Sequence, residues 1–229
     1  TMTKRIIALL LITLIFISSS KENKSQTLKS FKLLEEELNF ELTSDNSGLT
    51  LPFIEDWEST NGSLMNNGII YEGADYAWNF ETNLPNKGRA AWGTNAFRTH
   101  AGNGAITLDK DYPTSSYSIN SAILTLDLSN YSISSGLELS FWWTDHGDEE
   151  HVNDKVWIRG SNTGTWIQAY DLNPAQSTNN VFRFVGPIDI DNLLASASPA
   201  QVVSSTCQVR FGQQDNGPIP SDGITFDDI

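Results

Sequence analysis

Residues 137–161 read LELSFWWTDHGDEEHVNDKVWIRGS, and this stretch decides the fold class. Apolar residues occupy alternate positions in its first half, at Leu137, Leu139, Phe141 and Trp143. Val156 and Ile158 alternate in the same way in its second half. Because side chains of a strand point to opposite faces in turn, both halves are predicted to be strands with one face in a core.

The loop between these strands, Thr144–Lys155, is dense in ionisable residues. It contains Asp145, His146, Asp148, Glu149, Glu150, His151 and Asp154. So many carboxylates in one short loop should face water, a cation or a cationic partner. We predict a solvated loop, with Asp145 and Asp148 as secondary candidates for metal ligands. Zinc is disfavoured, because the four residues between the two histidines match no standard zinc-ligand spacing.

Short apolar runs separated by Gly, Asn, Asp, Ser and Pro continue on both sides of this stretch. The predicted strands are Leu51–Trp57, Gly68–Glu72, Ala77–Phe80, Ala90–Gly93, Ala105–Leu108, Ser121–Leu128, Leu137–Trp143, Lys155–Gly160, Trp166–Asp171, Val181–Val185, Gln201–Gly212 and Gly223–Ile229. A dozen short strands with turns between them favour an all-β antiparallel sandwich over residues 50–229. The first and last strands of such a sandwich can be neighbours, as in jelly rolls. One helical turn is predicted at Asp191–Ser196.

The N-terminus has the pattern of a secretory signal peptide. Lys4 and Arg5 precede the apolar run Ile6–Ile17, and small residues follow at Ser18–Ser20. This run is shorter than the roughly 20 residues that cross a bilayer. We therefore predict a cleaved signal peptide over residues 1–20, a secreted or cell-surface protein, and no membrane insertion afterwards. Residues 21–49 are predicted to form a polar linker or a short amphipathic helix.

The charge balance limits the class of partner. The chain has 28 acidic and 14 basic residues, a formal net charge of −14. Such a chain repels nucleic acid and anionic membranes, and calcium is its natural counter-ion outside cells. The only cysteine, Cys207, can form no intrachain disulfide, and its position on the face of Val209 and Phe211 predicts a buried, inert thiol.

Carboxylates at the two ends of the predicted sandwich are the primary metal candidates. In an extended strand Asp56 and Glu58 point to the same side, so both could ligate one ion. Asp227 or Asp228 could join them from an adjoining terminal strand. Calcium is the cation that such oxygen ligands favour.

Two of the seven tryptophans are candidates for ligand binding. Trp142 and Trp157 lie on the strand faces opposite the clearest apolar rows. An aromatic pair on an outer sheet face would suit stacking on sugar rings, and the open alternative is a second buried face.

Catalysis has weaker support. Carboxylates of the segment Asp145–Glu150 could serve a concanavalin A-like glycosidase or lyase, but they crowd one loop instead of lining a groove. The chain has no GxSxG or HExxH motif, and Cys207 has no histidine partner motif. No catalytic residue is therefore predicted.

Three segments resemble MAM-like modules of secreted bacterial multidomain proteins. Leu51–Glu58 (LPFIEDWE) is similar to their "PF-x-E-(D)-F-E" opening, and Leu139–Trp143 (LSFWW) to their central "L-x-F-W" strand. Residues 209–216 (VRFGQQDN) and 221–229 (SDGITFDDI) resemble their ending, "(I/V)-R-F" followed by "DG-(I/A)-x-(I/F)-D-D-(I/V)". The paired cysteines of animal MAM domains are absent, and Trp57 replaces the usual Phe.

This resemblance implies a jelly roll of the concanavalin A/MAM type with a non-catalytic adhesion or carbohydrate-binding role, or an accessory domain of a secreted hydrolase such as a protease. It implies calcium ligands at Asp56, Glu58 and Asp227, with Asp228 next. Glycans or extracellular proteins would be the partners. Because the chain stops at Ile229 inside the predicted last strand, we expect further domains beyond it.

Overall fold

A computed structural model describes residues 51–58, 69–70, 73–75, 77–93, 98–113, 115–132, 135–147, 149–173, 179–219 and 221–229. The predicted signal peptide (residues 1–20), the predicted linker (residues 21–49) and the metal candidate Asp148 lie outside the described residues. No helix in the described ranges is long and apolar enough to cross a membrane.

The described chain folds into two antiparallel β-sheets and a short helix. The elements are β1 (Ile69–Ile70), β2 (Gly73–Asp75), β3 (Trp78–Thr82), β4 (Gly88–Gly93), β5 (Ala105–Lys110), β6 (Ser118–Leu126), β7 (Glu138–Asp145), β8 (Lys155–Arg159), β9 (Ile167–Asp171), β10 (Arg183–Asp189), α1 (Ile190–Ser196), β11 (Cys207–Asp215) and β12 (Ile224–Asp227). The first sheet has the order β1-β4-β5-β12-β7-β10, and the second has the order β2-β3-β6-β11-β8-β9. The prediction of an all-β antiparallel sandwich is confirmed.

The core lies between the inner faces of the two sheets. Phe141 of β7 is fully buried, and its ring meets Phe211 of β11 edge-on with 5.3 Å between centroids. The apolar rows predicted in β7, β8 and β11 all belong to this core. Cys207 is buried as predicted, and desolvation raises the pKa of its thiol to about 12.

The strands β7 and β8 do not pair, although they follow one another in the sequence. The residues between them carry the chain from the first sheet to the second. The loop is also less solvated than predicted, since Asp145 and Asp154 are buried while Glu149 and Glu150 are exposed. Main-chain N–H groups bond both buried carboxylates: that of Gly147 donates to Asp145 Oδ1, and those of His151 and Gln214 donate to Asp154 Oδ2 and Oδ1.

The predicted first strand, Leu51–Trp57, is wrong. Trp57 has a φ of +55°, and the carboxylate of Asp56 accepts the N–H of Glu58 at 3.1 Å, which makes a local turn. The predicted meeting of the module's two ends is nevertheless seen, because Glu55 and Ile229 exchange two backbone hydrogen bonds of 2.8 and 3.0 Å. The sequence did not predict β2. The helical turn predicted at Asp191–Ser196 corresponds to α1.

Candidate binding surface

A row of outward-facing residues crosses three strands of the first sheet. Strand register places Asp227 of β12 beside Trp142 of β7, and Trp142 beside Phe184 of β10. Their neighbours Phe226 and Trp143 belong to the core, so alternation directs the row to the outer face. The row brings a carboxylate and two aromatic rings together on one surface.

The loop of residues 98–104 lies on this row. The N–H of His100 donates to Asp227 Oδ2 at 2.7 Å, and its imidazole stacks on Trp142 with 3.7 Å between centroids. Its Nδ1 lies 2.7 Å from Asp228 Oδ2. Both the main chain and the side chain of His100 are therefore held against the sheet.

Glu58 holds the other end of the same loop. Its Oε1 accepts the N–H groups of Asn103 at 2.5 Å and Gly104 at 2.8 Å. These hydrogen bonds, Gly104 foremost, lower the pKa of the exposed Glu58 carboxyl. Gly102, between the two anchors, has a φ of +58°, a conformation that a residue with a Cβ rarely adopts.

Three of the four carboxylates predicted as primary calcium ligands contact this loop, and the fourth, Asp56, lies in the turn beside Glu58. Glu58 and Asp227 bind its N–H groups, Asp228 binds its imidazole, and Asp56 accepts a hydrogen bond within its own turn. Among the described residues, no three Asp, Glu, His or Cys side chains are close enough to hold a metal ion together. Calcium binding by these four carboxylates stays a prediction.

Asp227 is electrostatically unusual. It is fully buried, and desolvation is the main cause that raises the pKa of its carboxyl to about 6. The hydrogen bond from the His100 N–H lowers this pKa, and the charge of Asp228 raises it. A carboxyl with this pKa changes charge near neutral pH.

We expect Asp227 to titrate at about pH 6 in the folded protein, measured by carbon-13 NMR of its carboxyl group. A raised pKa means that the folded state binds the proton more tightly, so its contribution to stability is lost as the pH rises through about 6. The stability of the native chain relative to Asp227→Asn should therefore fall between about pH 4 and pH 6, between the unfolded and the folded pKa. Asp127→Asn is the control, because hydrogen bonds from Ser129 lower the pKa of Asp127. A midpoint near 4 for Asp227 would contradict the prediction.

Four rings cluster around this row. The Phe184 ring lies 5.4 Å from that of Trp142, and the Phe182 ring lies 5.6 Å from that of His100. Phe184 is 53% exposed. We call His100, Trp142, Phe182, Phe184 and Asp228 the aromatic patch.

Sequence reasoning identified only Trp142 and Asp228 of this patch. His100 reaches it through a loop whose position depends on Glu58 and Asp227, so local sequence carries no signal for it. The sequence could have indicated Phe184, because it precedes Val185 in a predicted strand and alternation places the two side chains on opposite faces.

Trp157 lies on the outer face of the second sheet, so its predicted pairing with Trp142 on one face is wrong. The guanidinium of Arg210 stacks on its ring at 3.9 Å and lies 4.6 Å from Trp166. A Cβ on Gly212 would collide with the Trp157 ring, so the ring packs onto the backbone there. Arg210 covers the ring of Trp157, whereas Phe184 is 53% exposed.

The described histidines and carboxylates at the end of β7 and in the loop after it do not form one cluster. His146 lies with Nδ1 2.6 Å from Asn180 Oδ1 and Nε2 2.7 Å from Thr225 Oγ1, and burial lowers its pKa. His151 instead contacts the carboxylate of Asp154. Asp145 is buried, with Oδ2 3.6 Å from Arg183.

No protein-family model matches the chain, and no curated protein matches its sequence. Function is therefore inferred from the residues and contacts of this surface.

Proposed function

We propose that residues 50–229 are a non-catalytic, extracellular binding module of the MAM-like, concanavalin A-like jelly-roll type, and that the aromatic patch binds a glycan. The observation that carries this proposal is the half-exposed ring of Phe184 beside Trp142, with the imidazole and carboxylate of His100 and Asp228 at its edge. Sugar rings present C–H faces that pack on aromatic rings, and hydroxyl groups that bond such polar groups.

The patch is held in place before a ligand arrives. Glu58 and Asp227 fix the loop that carries His100, and the imidazole already stacks on Trp142. Binding then requires little ordering of the protein, which favours affinity. A fixed, half-exposed aromatic surface suits recognition. Of the described carboxylates of the alternative function, a glycosidase or lyase, Asp145 is buried whereas Glu149 and Glu150 are exposed.

The setting of the module is also part of the proposal. The N-terminal pattern supports export, and the acidic chain disfavours nucleic acid and anionic membranes. We place the module in a secreted or cell-surface protein, with calcium as a stabilising ion. Such an ion would bind only the folded state and so stabilise it by mass action.

The test is a glycan array followed by calorimetry with the glycan that binds. Phe184→Ala and Trp142→Ala should each weaken binding about 30-fold, the effect of losing a hot-spot contact of about 2 kcal/mol. Tyr112→Ala is the matched control, because Tyr112 is an exposed aromatic residue with no described contact to the patch.

Three outcomes would contradict the glycan proposal. They are an array without signal, binding that survives Phe184→Ala unchanged, and turnover of the bound glycan, which would favour the glycosidase or lyase. Capture of an extracellular protein through the same patch, without any glycan, would assign the surface to protein recognition.

A further inference from the structure

The outer face of the second sheet carries two arginines in contact with two tryptophans. Arg210 of β11 lies opposite Trp157 of β8 in the strand register, and its neighbours Val209 and Phe211 belong to the core. Alternation therefore directs Arg210 outward, onto the face that carries Trp157. The central carbon of its guanidinium lies 3.9 Å from the centroid of the Trp157 ring and 4.6 Å from that of the Trp166 ring.

The two arginines share Trp166 but differ in their hydrogen bonds. The guanidinium carbon of Arg159 lies 4.1 Å from the centroid of the Trp166 ring. Its Nε and Nη2 both donate to Gln208 Oε1, and its Nη1 donates to the carbonyl of Gly164 at 3.4 Å. The guanidinium of Arg210 instead makes no hydrogen bond with any residue that the structure describes. Arg210 therefore retains donors that a ligand could use.

Stacking leaves the hydrogen-bonding edge of the Arg210 guanidinium free. An aromatic ring contacts the flat face of this group, while its N–H donors point outward in the plane of the group. Arg210 is partly exposed, and among its guanidinium nitrogens Nε is the one that is buried without an acceptor. The two Nη groups are therefore the donors within reach of a ligand. Such a pair forms the fork that matches the two oxygens of a carboxylate.

The positive charge at this site is poorly compensated. Basic side chains such as Arg89 and Lys155 form ion pairs, but no described carboxylate forms one with Arg159 or Arg210. The exposed Glu81 is the carboxylate whose charge raises the pKa of both arginines. Desolvation, and next the charge of Arg159, lower the pKa of Arg210. A bound anion would offset both of these costs.

The position of Arg210 in the sheet favours a sugar over a peptide as the source of that anion. Strands β11 and β8 are interior strands, so their main-chain groups are already paired and an extended peptide cannot add to them. Recognition must then use side chains, and the exposed amide of Gln168 lies beside Trp157 in the register. The formal net charge of −14 repels polyanions, so a ligand with one carboxylate is disfavoured least.

We propose that Arg210, stacked on Trp157, binds the carboxylate of an acidic sugar such as a uronic acid. Its two Nη groups donate to the two carboxylate oxygens, and Gln168 bonds a hydroxyl group of the sugar ring. The Trp157 ring packs against the backbone at Gly212, which gives the arginine a fixed support before the ligand arrives. The inference shares the extracellular setting with the proposed function, but it concerns a different sheet from the aromatic patch.

The test is an NMR titration of the whole chain with the methyl glycosides of glucuronic, galacturonic and mannuronic acid. Each acid is compared with the neutral methyl glycoside in which a hydroxymethyl group replaces the carboxylate. We expect saturable shifts of the Arg210 Nε–H signal and of the Trp157 and Trp166 indole N–H signals with at least one acid. Its neutral counterpart should bind at least about tenfold more weakly, because it lacks the charge-assisted hydrogen bonds.

Substitutions assign the binding to the guanidinium. Arg210→Met keeps an apolar stem over Trp157 but removes the donors, so it should weaken binding of the acid at least about tenfold. Arg210→Lys keeps the charge without the planar fork and should retain only part of the affinity. Lys87→Met is the charge-matched control, because it also removes one positive charge and Lys87 contacts Tyr112. If Arg210→Met does not fold, the comparison of Arg210→Lys with the native chain decides.

The proposal fails on any of three results. They are no saturable binding of any of the three acids, equal affinity for an acid and its neutral counterpart, and acid binding that is unchanged in Arg210→Met. Binding of an acidic peptide at Arg210 by a chain that binds none of the sugars would assign the arginine to protein recognition. Phe184→Ala should bind the acid as the native chain does, so failure of the aromatic patch as a glycan site is distinguished from failure here.

Discussion

Replacement of Phe141 by alanine is expected to lower the free energy of unfolding by about 3–5 kcal/mol. Phe141 is fully buried between the sheets, and its ring makes edge-on contacts with Phe211 at 5.3 Å and with Phe226 and Tyr170 at 6.2 Å between centroids. The substitution removes apolar contact area and leaves a cavity that flanking β-strands cannot easily close. It should also loosen the sheet that supports the aromatic patch, since Trp142 is the next residue in β7.

Urea denaturation at equilibrium measures this effect. Phe184→Ala is the matched control, because the same chemical change at a 53% exposed ring should alter the free energy of unfolding by less than about 1 kcal/mol. A loss below about 1 kcal/mol for Phe141→Ala would contradict the placement of this ring at the centre of the sandwich.

The sequence predicted the core well because alternation is a local property. Leu139, Phe141 and Trp143 repeat every second residue, and this alone assigns them to one face of a strand. The same reasoning correctly placed Val156 and Ile158. Alternation does not say which strand pairs with which, so it could not indicate that β7 and β8, consecutive in the chain, belong to opposite sheets.

The candidate site was predicted only in part, for a related reason. Glu58, Asp227 and Asp228 were selected as metal ligands because carboxylates attract cations. In the folded chain their oxygens accept hydrogen bonds from a loop that passes over the sheet. Neither that loop's path nor the burial of Asp145 is encoded in residue spacing, since both depend on contacts between distant segments.

A second large effect is expected for Arg89→Met, which should destabilise the fold by about 3–5 kcal/mol at neutral pH. Arg89 binds Asp109 through two hydrogen bonds, Nε to Oδ1 at 2.7 Å and Nη2 to Oδ2 at 3.0 Å. Asp109 is fully buried and also accepts the N–H of Ile219 at 3.0 Å. Without the guanidinium, this carboxylate would remain buried, and the charge of Arg98, whose effect on it is weaker than that of Arg89, would offset little of its own.

The pH dependence and a double substitution separate this loss of charge pairing from a simple loss of packing. Burial already raises the pKa of Asp109, and Arg89 is the strongest opposing influence, so Arg89→Met should raise that pKa further. A carboxyl whose folded pKa lies above its unfolded pKa destabilises the folded state as the pH rises, so the loss of stability in Arg89→Met should be smaller at about pH 5 and larger at about pH 8.

Arg89→Met combined with Asp109→Leu should be more stable than Arg89→Met alone, because it removes the unpaired buried charge. It should not regain the native value, since the N–H of Ile219 then loses its acceptor. If the two substitutions were simply additive and the defect did not vary with pH, the pair would stabilise the fold through packing and not through its buried charges.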